Sequence, residues 1–161
     1  MKESMAEKPG LITLLRKGGL FPAVPGANQR DVLSCLIRNG PLAASLNEED
    51  LLKALLEREA LMSTAIGNGI ALPHPRNPIL LQIEESCVLT GYLQQPVDWK
   101  APDGVGVHTI LLVASASPKS HLHTLSKLIF FCQQEPFYRR LQNRASLDEI
   151  ITVIQDLEQT W

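Results

Sequence analysis

The chain predicts an α/β protein: a single domain whose mixed parallel/antiparallel sheet is flanked by helices on both sides. Three observations carry that prediction. Helix-spaced apolar residues occupy 28–59 and again 117–158. Between these blocks, Ser86–Leu93 and Val107–Ala114 read as strands, and the unbroken run Ile110-Leu111-Leu112-Val113 suits a strand buried on both faces. Helices, then strands, then helices is the order of a sheet covered on each side, and 161 residues are enough for one sizeable core.

Residues 1–10 read as a flexible N-terminal tail, polar and mixed in charge, and 11–161 as the folded domain. Leu11–Leu15 forms a short helix or strand before Gly18-Gly19, and Phe21-Pro22-Ala23-Val24-Pro25-Gly26 reads as a rigid connector. Asn28 is placed to cap a helix carrying Val32, Leu33, Leu36 and Ile37, which Asn39-Gly40 stops. Asn47 caps the next, with Asp50 three residues on and a stripe of Leu51, Leu52, Leu55 and Leu56 ending near Arg58-Glu59. A short strand is expected over Ile70–Pro73, and a loop with an Asp103-Gly104 turn over Pro96–Gly106. Ser117-Pro118 opens a helix that runs to about Gln134. Glu135–Asn143 is helical as well. Ser146 opens the last helix, with acidic Asp148 and Glu149 in its first turn and Ile150, Ile151, Ile154 and Leu157 on one face.

Composition narrows the function classes. A net charge of -2 implies no broad basic face, so nucleic acid is not an expected partner. The three cysteines, Cys35, Cys87 and Cys132, are odd in number, widely spaced and set among apolar neighbours. They read as small buried hydrophobes in a reducing compartment. Met1–Pro9 has no apolar targeting core, and the best apolar run, Ile110–Ala114, is far too short to span a bilayer. A cytoplasmic protein without direct membrane insertion is expected.

The chemistry concentrates at one histidine. In Gly67-Asn68-Gly69-Ile70-Ala71-Leu72-Pro73-His74-Pro75, two glycines permit a tight turn and two prolines fix the backbone on either side of His74. An imidazole held so can act as nucleophile or ligand near neutral pH. His108, at the start of a strand, reads as surface or edge filler. On the helix after Ser117, Leu122, Leu125, Leu128, Ile129 and Cys132 cluster on one side. His121 falls beside that cluster and His123 lies roughly 200° away, facing solvent. His121 also sits near a helix N-terminus, where an anion is stabilised. Glu59 projects onto the Leu55 side of its helix and needs a partner there, Arg58 or a backbone donor. Arg58 lies at the stripe's edge, in reach of a neighbouring loop.

Arg58-Glu59, Ser63-Thr64 and Gly67-x-Gly69-Ile70-Ala71-Leu72-Pro73-His74 together resemble the signature of the IIA domains of the bacterial sugar phosphotransferase system. The subgroup is the fructose/mannitol type, which includes the nitrogen-regulatory IIA protein. His121-Leu122-x-x-Leu125-Ser126-x-Leu128 resembles that family's second motif and Ala145-Ser146-x-x-Glu149-Ile150 its C-terminal helix; the likeness covers roughly residues 11–158. The resemblance implies an α/β fold and a phosphotransferase component. His74 then accepts a phosphoryl group from the phosphocarrier HPr or its nitrogen-branch counterpart, and the group passes to a IIB domain or stays as a regulatory mark.

On this reading a neutral His74 attacks phosphorus with one ring nitrogen while a backbone carbonyl holds the other. Arg58 supplies charge to the phosphate oxygens, His121 donates a hydrogen bond, and Ser63 or Thr64 adds a hydroxyl; Glu59 supports the site. No cofactor and no metal is expected. The regulatory role is favoured by the lack of attached IIB or membrane segments. The alternatives are a sugar-specific IIA component donating to a IIB domain, or a non-catalytic module that binds a regulatory target protein. A zinc hydrolase using His74, His121 and Glu59 lacks the usual ligand spacing.

Overall fold

A computed structural model describes residues 10–80 and 82–159, so the expected tail lies, apart from Gly10, outside the described residues. Helix α1 (Leu11–Gly18) leads into strand β1 (Leu20–Val24). Helices α2 (Gln29–Asn39) and α3 (Glu48–Leu61) follow, joined by a 3-10 turn at Pro41–Ala44. Next come β2 (Ala65–Gly67), β3 (Ile70–Ala71), β4 (Cys87–Val97) and β5 (Val107–Ala114). Helices α4 (Pro118–Cys132), α5 (Glu135–Gln142) and α6 (Leu147–Glu158) end the chain.

The strands form one sheet in the order β1-β4-β5-β3-β2. The β1–β4 and β3–β5 pairs are parallel; the β4–β5 and β2–β3 pairs are antiparallel. This is the mixed sheet the element order predicts. Alternation along the two central strands divides the core in two. Leu89, Leu93, Ile110 and Leu112 pack with Val32, Leu33, Leu36, Leu51 and Leu55 of α2 and α3. Val88, Tyr92, Leu111 and Val113 pack with Leu11, Leu15, Leu128, Phe131, Phe137 and Ile154 of the other four helices. Each such side chain, fully buried, stabilises the fold by roughly 1.5–3 kcal/mol.

Helix starts fall where the polar side chains allow. Asn28 Oδ1 accepts from the Asp31 N–H at 2.9 Å, Asn47 Oδ1 from Asp50 at 3.1 Å, and Ser117 Oγ from Ser120 at 3.2 Å. Ser146 and Glu149 close a reciprocal capping box. Buried Cys87 and Cys132 behave as hydrophobes, and burial pushes the Cys87 thiol up to about 12.

Several elements depart from expectation. The Phe21–Gly26 connector is mostly strand β1. It is an edge strand with a register shift between Phe21 and Val24, a setting that tolerates the missing N–H of Pro22. Strand β2 and the 3-10 turn at Pro41–Ala44 carry no sequence pattern long enough to read. Helix α3 continues to Leu61, and β4 continues to Val97, into the expected loop. The buried face of α4 is rotated from the expected stripe: Ser120, His121, Thr124, Leu128, Phe131 and Cys132 face inward. Leu122 and Ile129 are 67% and 39% exposed. Apolar residues nearly encircle this helix, so periodicity alone does not orient it, whereas small Ser120 and Thr124 let it pack closely.

Candidate active site

Parallel pairing of β3 with β5 puts the C-terminal ends of both strands at one edge of the sheet. His74 follows β3, and Ser115 and the start of α4 follow β5. That topology brings two sequence-distant imidazoles together. The Pro73 carbonyl accepts from Val113 N–H at 2.9 Å, extending the ladder up to the residue before His74.

The turn between β2 and β3 is built around three successive left-handed residues: Gly67, Asn68 and Gly69, with φ of 95°, 57° and 74°. Asp103 braces it by accepting from Asn68 N–H at 3.0 Å and from Val105 N–H at 3.1 Å. His108 braces the other side: Nε2–H donates to the Asn68 carbonyl at 3.1 Å, and Nδ1 accepts from Thr109 Oγ1 at 2.7 Å. A Cβ at position 69 would lie 2.3 Å from the His108 ring, so only glycine fits. His108 is thus a half-buried strut rather than surface filler, and burial lowers its pKa despite the Asn68 carbonyl.

His74 is half-buried. Its Nδ1 lies 2.6 Å from the Leu72 carbonyl oxygen. A carbonyl can only accept, so Nδ1 carries the proton and Nε2 keeps its lone pair. Burial pulls the His74 pKa below 6.5; the Arg58 charge acts in the same direction, while the Leu72 hydrogen bond and Glu59 oppose. The resting ring is therefore neutral at pH 7. The His121 ring centroid is 5.1 Å from that of His74, at 55°. His121 is 8% exposed, and its Nδ1 is 3.3 Å from Ser115 Oγ. Burial and the neighbouring His74 push its pKa down to about 4.

These shifts carry a stability prediction. Between pH 6.5 and about 4 the unfolded chain takes up a proton that folded His121 refuses. Stability is thus fully present above pH 6.5 and is expected to fall by roughly 3 kcal/mol on acidification through this window. Urea unfolding at pH 7, 5.5 and 4.5 measures it, and His74 adds to the trend with the same sign.

The other expected residues are placed less directly. Arg58 donates to the Met62 carbonyl at 2.6 Å, at the end of its own helix, although its charge is felt at His74. Glu59 is 8% exposed and bonds to Thr64, not Arg58: Oε2 accepts from Thr64 N–H at 3.0 Å and Oε1 from the Thr64 hydroxyl. Ser63 Oγ donates to the Trp99 carbonyl at 2.5 Å. Both hydroxyl protons are therefore spent inside the fold. Neither Ser63 nor Thr64 is placed to donate to a phosphate, and both tie β2 to its surroundings instead. Leu72, Asp103 and Ser115 join the site with no sequence signal that marks them for it. The Asp103-Gly104 turn was visible, but its link to a turn 35 residues earlier in the chain was not. Among the described residues no three His, Cys, Asp or Glu side chains converge as a metal-binding group. No helix there is long and apolar enough to cross a membrane.

The parallel β3–β5 pair thus sets a histidine at the end of an inner strand, faced by a second imidazole 5.1 Å away. The chain belongs to the EIIA 2 family of the phosphoenolpyruvate-dependent sugar phosphotransferase system, whose model matches residues 15–157. It is 31% identical to the nitrogen regulatory protein of Pseudomonas aeruginosa over 155 residues, covering 90% of this chain and 94% of that one. It is 28% identical over 144 residues to the fructose-specific EIIABC component of Bacillus subtilis, covering 88% of this chain but only 22% of that protein's length. The solved structure of IIA-Ntr from Neisseria meningitidis superposes with a TM-score of 0.74 at 24% identity, over 89% of this chain and 97% of that one. The protein is accordingly a IIA-type component of phosphoryl transfer, with the sheet-and-helix fold of that family.

Proposed function

We propose that His74 accepts a phosphoryl group on Nε2 from an HPr-like phosphocarrier or its nitrogen-branch counterpart, in the cytoplasm. The observation that carries this reading is the Leu72 carbonyl on Nδ1, which leaves Nε2 as the free lone pair. Nε2 attacks phosphorus in line, and the N–P bond of the donor phosphohistidine breaks with its electron pair returning to the donor ring. The product ring on His74 carries Nε2–P and keeps its proton on Nδ1, so it becomes cationic, and the Leu72 carbonyl stabilises it. The transition state is loose, with charge on the equatorial oxygens, so catalysis is positioning and charge stabilisation.

His121 and Arg58 supply the stabilisation. We assign the proton of neutral His121 to Nε2, with the Ser115 hydroxyl donating to Nδ1, so that Nε2–H is the free donor. An incoming phosphate raises the affinity of His121 for a second proton. Arg58 exchanges the Met62 carbonyl for phosphate oxygens, to which its planar fork is better matched. Met62, whose carbonyl Arg58 holds, and Leu122, the residue after His121, are exposed apolar side chains available to a protein donor.

The regulatory reading is favoured by the match to a nitrogen regulatory protein over nearly its whole length. A sugar-specific role, passing phosphate to a IIB domain, is the second reading and draws on the fructose-specific EIIABC relative. Incubation with phosphorylated HPr, and separately with its nitrogen-branch counterpart, distinguishes donors. One acid-labile, base-stable phosphate per chain is expected, on Nε2 by NMR. No label from either donor overturns the reading.

A further inference from the structure

Glu59 is a buried carboxylate whose two oxygens are both spent on one neutral residue. Oε2 accepts from Thr64 N–H at 3.0 Å and Oε1 from the Thr64 hydroxyl. Its sequence neighbour Arg58 turns away to the Met62 carbonyl, and no ion pair of Glu59 occurs among the described residues. Burying a carboxylate against neutral donors is costly. A glutamine could bridge the same two Thr64 groups, accepting from the N–H and donating to the hydroxyl oxygen, so tying the end of α3 to β2 does not by itself require the charge.

The contacts continue past Thr64. The Thr64 carbonyl accepts from Leu72 N–H at 3.0 Å, and the Leu72 carbonyl accepts from His74 Nδ1–H at 2.6 Å. Thr64 and Leu72 are 4% and 2% exposed, so water does not compete for these bonds. Three hydrogen-bonded steps therefore run from the carboxylate to the nitrogen opposite the reacting one.

We infer that Glu59 is a positioning residue for phosphoryl transfer: through Thr64 and Leu72 it fixes the His74 tautomer that presents Nε2, and its charge favours the cationic phosphohistidine. The inference rests on His74 as the acceptor. Two devices act together. Geometry holds the Leu72 carbonyl on Nδ1. Charge offsets that of Arg58, the cation whose field reaches His74, with His121 the third titratable group facing the ring.

Glu59→Gln and Glu59→Ala separate the devices. In the unphosphorylated proteins, nitrogen-15 NMR of the His74 ring reads tautomer and titration midpoint, independently of any phosphate uptake. Glu59→Gln is expected to keep the Nδ1–H tautomer and to titrate at lower pH than wild type. Glu59→Ala is expected to mix tautomers and to slow labelling by phosphorylated HPr on the order of tenfold to a hundredfold. A wild-type tautomer and labelling rate in Glu59→Ala overturns the inference. If that variant does not fold, Glu59→Gln decides alone: an unchanged midpoint, or a lost Nδ1–H signal, overturns it. Failure of wild type to label, with these ring signals as expected, would sink the acceptor assignment while leaving the control of the His74 tautomer by Glu59 demonstrated.

Discussion

Replacing His74 with alanine is expected to abolish phosphate uptake from phosphorylated HPr while leaving the protein folded. No other imidazole can take over. His121 is 8% exposed, with Nδ1 engaged by Ser115. Both nitrogens of His108 are engaged, Nε2 by the Asn68 carbonyl and Nδ1 by Thr109 Oγ1. His123 is exposed on the face of α4 away from the sheet. The structural cost is small: His74 is half-buried and makes one side-chain hydrogen bond, to a carbonyl two residues away, so its loss costs about 1 kcal/mol. The check is acid-labile phosphate per chain alongside circular dichroism. Full labelling of a folded His74→Ala protein would refute the assignment.

Much of the fold was legible because the elements that matter most are long and strongly patterned. The caps at Asn28, Asn47, Ser117 and Ser146 each announce a helix start through a side chain that satisfies a free backbone N–H. The run Ile110–Val113 declares a two-faced burial that only a central strand of a covered sheet supplies. What escaped was short or tertiary. Strand β2 has three residues and exists because the Gly67–Gly69 turn returns the chain onto β3, the short strand expected over Ile70–Pro73, which spans Ile70–Ala71 and pairs with β5. Strand β1 contains a proline and persists only because it lies at an edge. The buried face of α4 departs from the expected stripe for a different reason. Its inward face is partly polar, and the polar residues there belong to the site end of the helix, where local hydrophobic pattern and function disagree.

The site was legible in its ingredients and not in its wiring. Gly67, Gly69 and the prolines around His74 state that the backbone is constrained, and the position of His121 near the start of α4 puts it by free backbone N–H groups. Of the two partners expected for Glu59, Arg58 or a backbone donor, the structure provides the backbone donor, Thr64 N–H. The structure separates Arg58 from Glu59, since residues i and i+1 on a helix diverge by about 100°. The acceptor for His74 was expected to be a backbone carbonyl, but which one depends on the path from Leu72 through Pro73, which spacing does not encode. The bond from Glu59 to Thr64 spans only five residues, yet it crosses the end of a helix, where helical periodicity no longer predicts direction.

Replacing His121 with alanine is expected to slow phosphoryl transfer to His74 by roughly a hundredfold to a thousandfold, with little change in donor binding. The ring is already in place, 5.1 Å from His74 centroid to centroid, and the walls around it exclude water. A preorganised donor aimed at charge that develops during reaction is worth that much, because no solvent must reorganise to do its work. Arg58 differs, since it must first release the Met62 carbonyl. The variant has an internal control. Alanine leaves a cavity that costs stability, whereas His121→Gln retains an N–H donor in a similar volume and should recover part of the rate. The same substitutions should flatten the loss of stability between pH 6.5 and about 4, because the group that refuses the proton is gone. Single-turnover labelling with phosphorylated HPr separates rate from affinity. A His121→Ala protein that labels at the wild-type rate would show that the second imidazole packs against His74 without touching the phosphate.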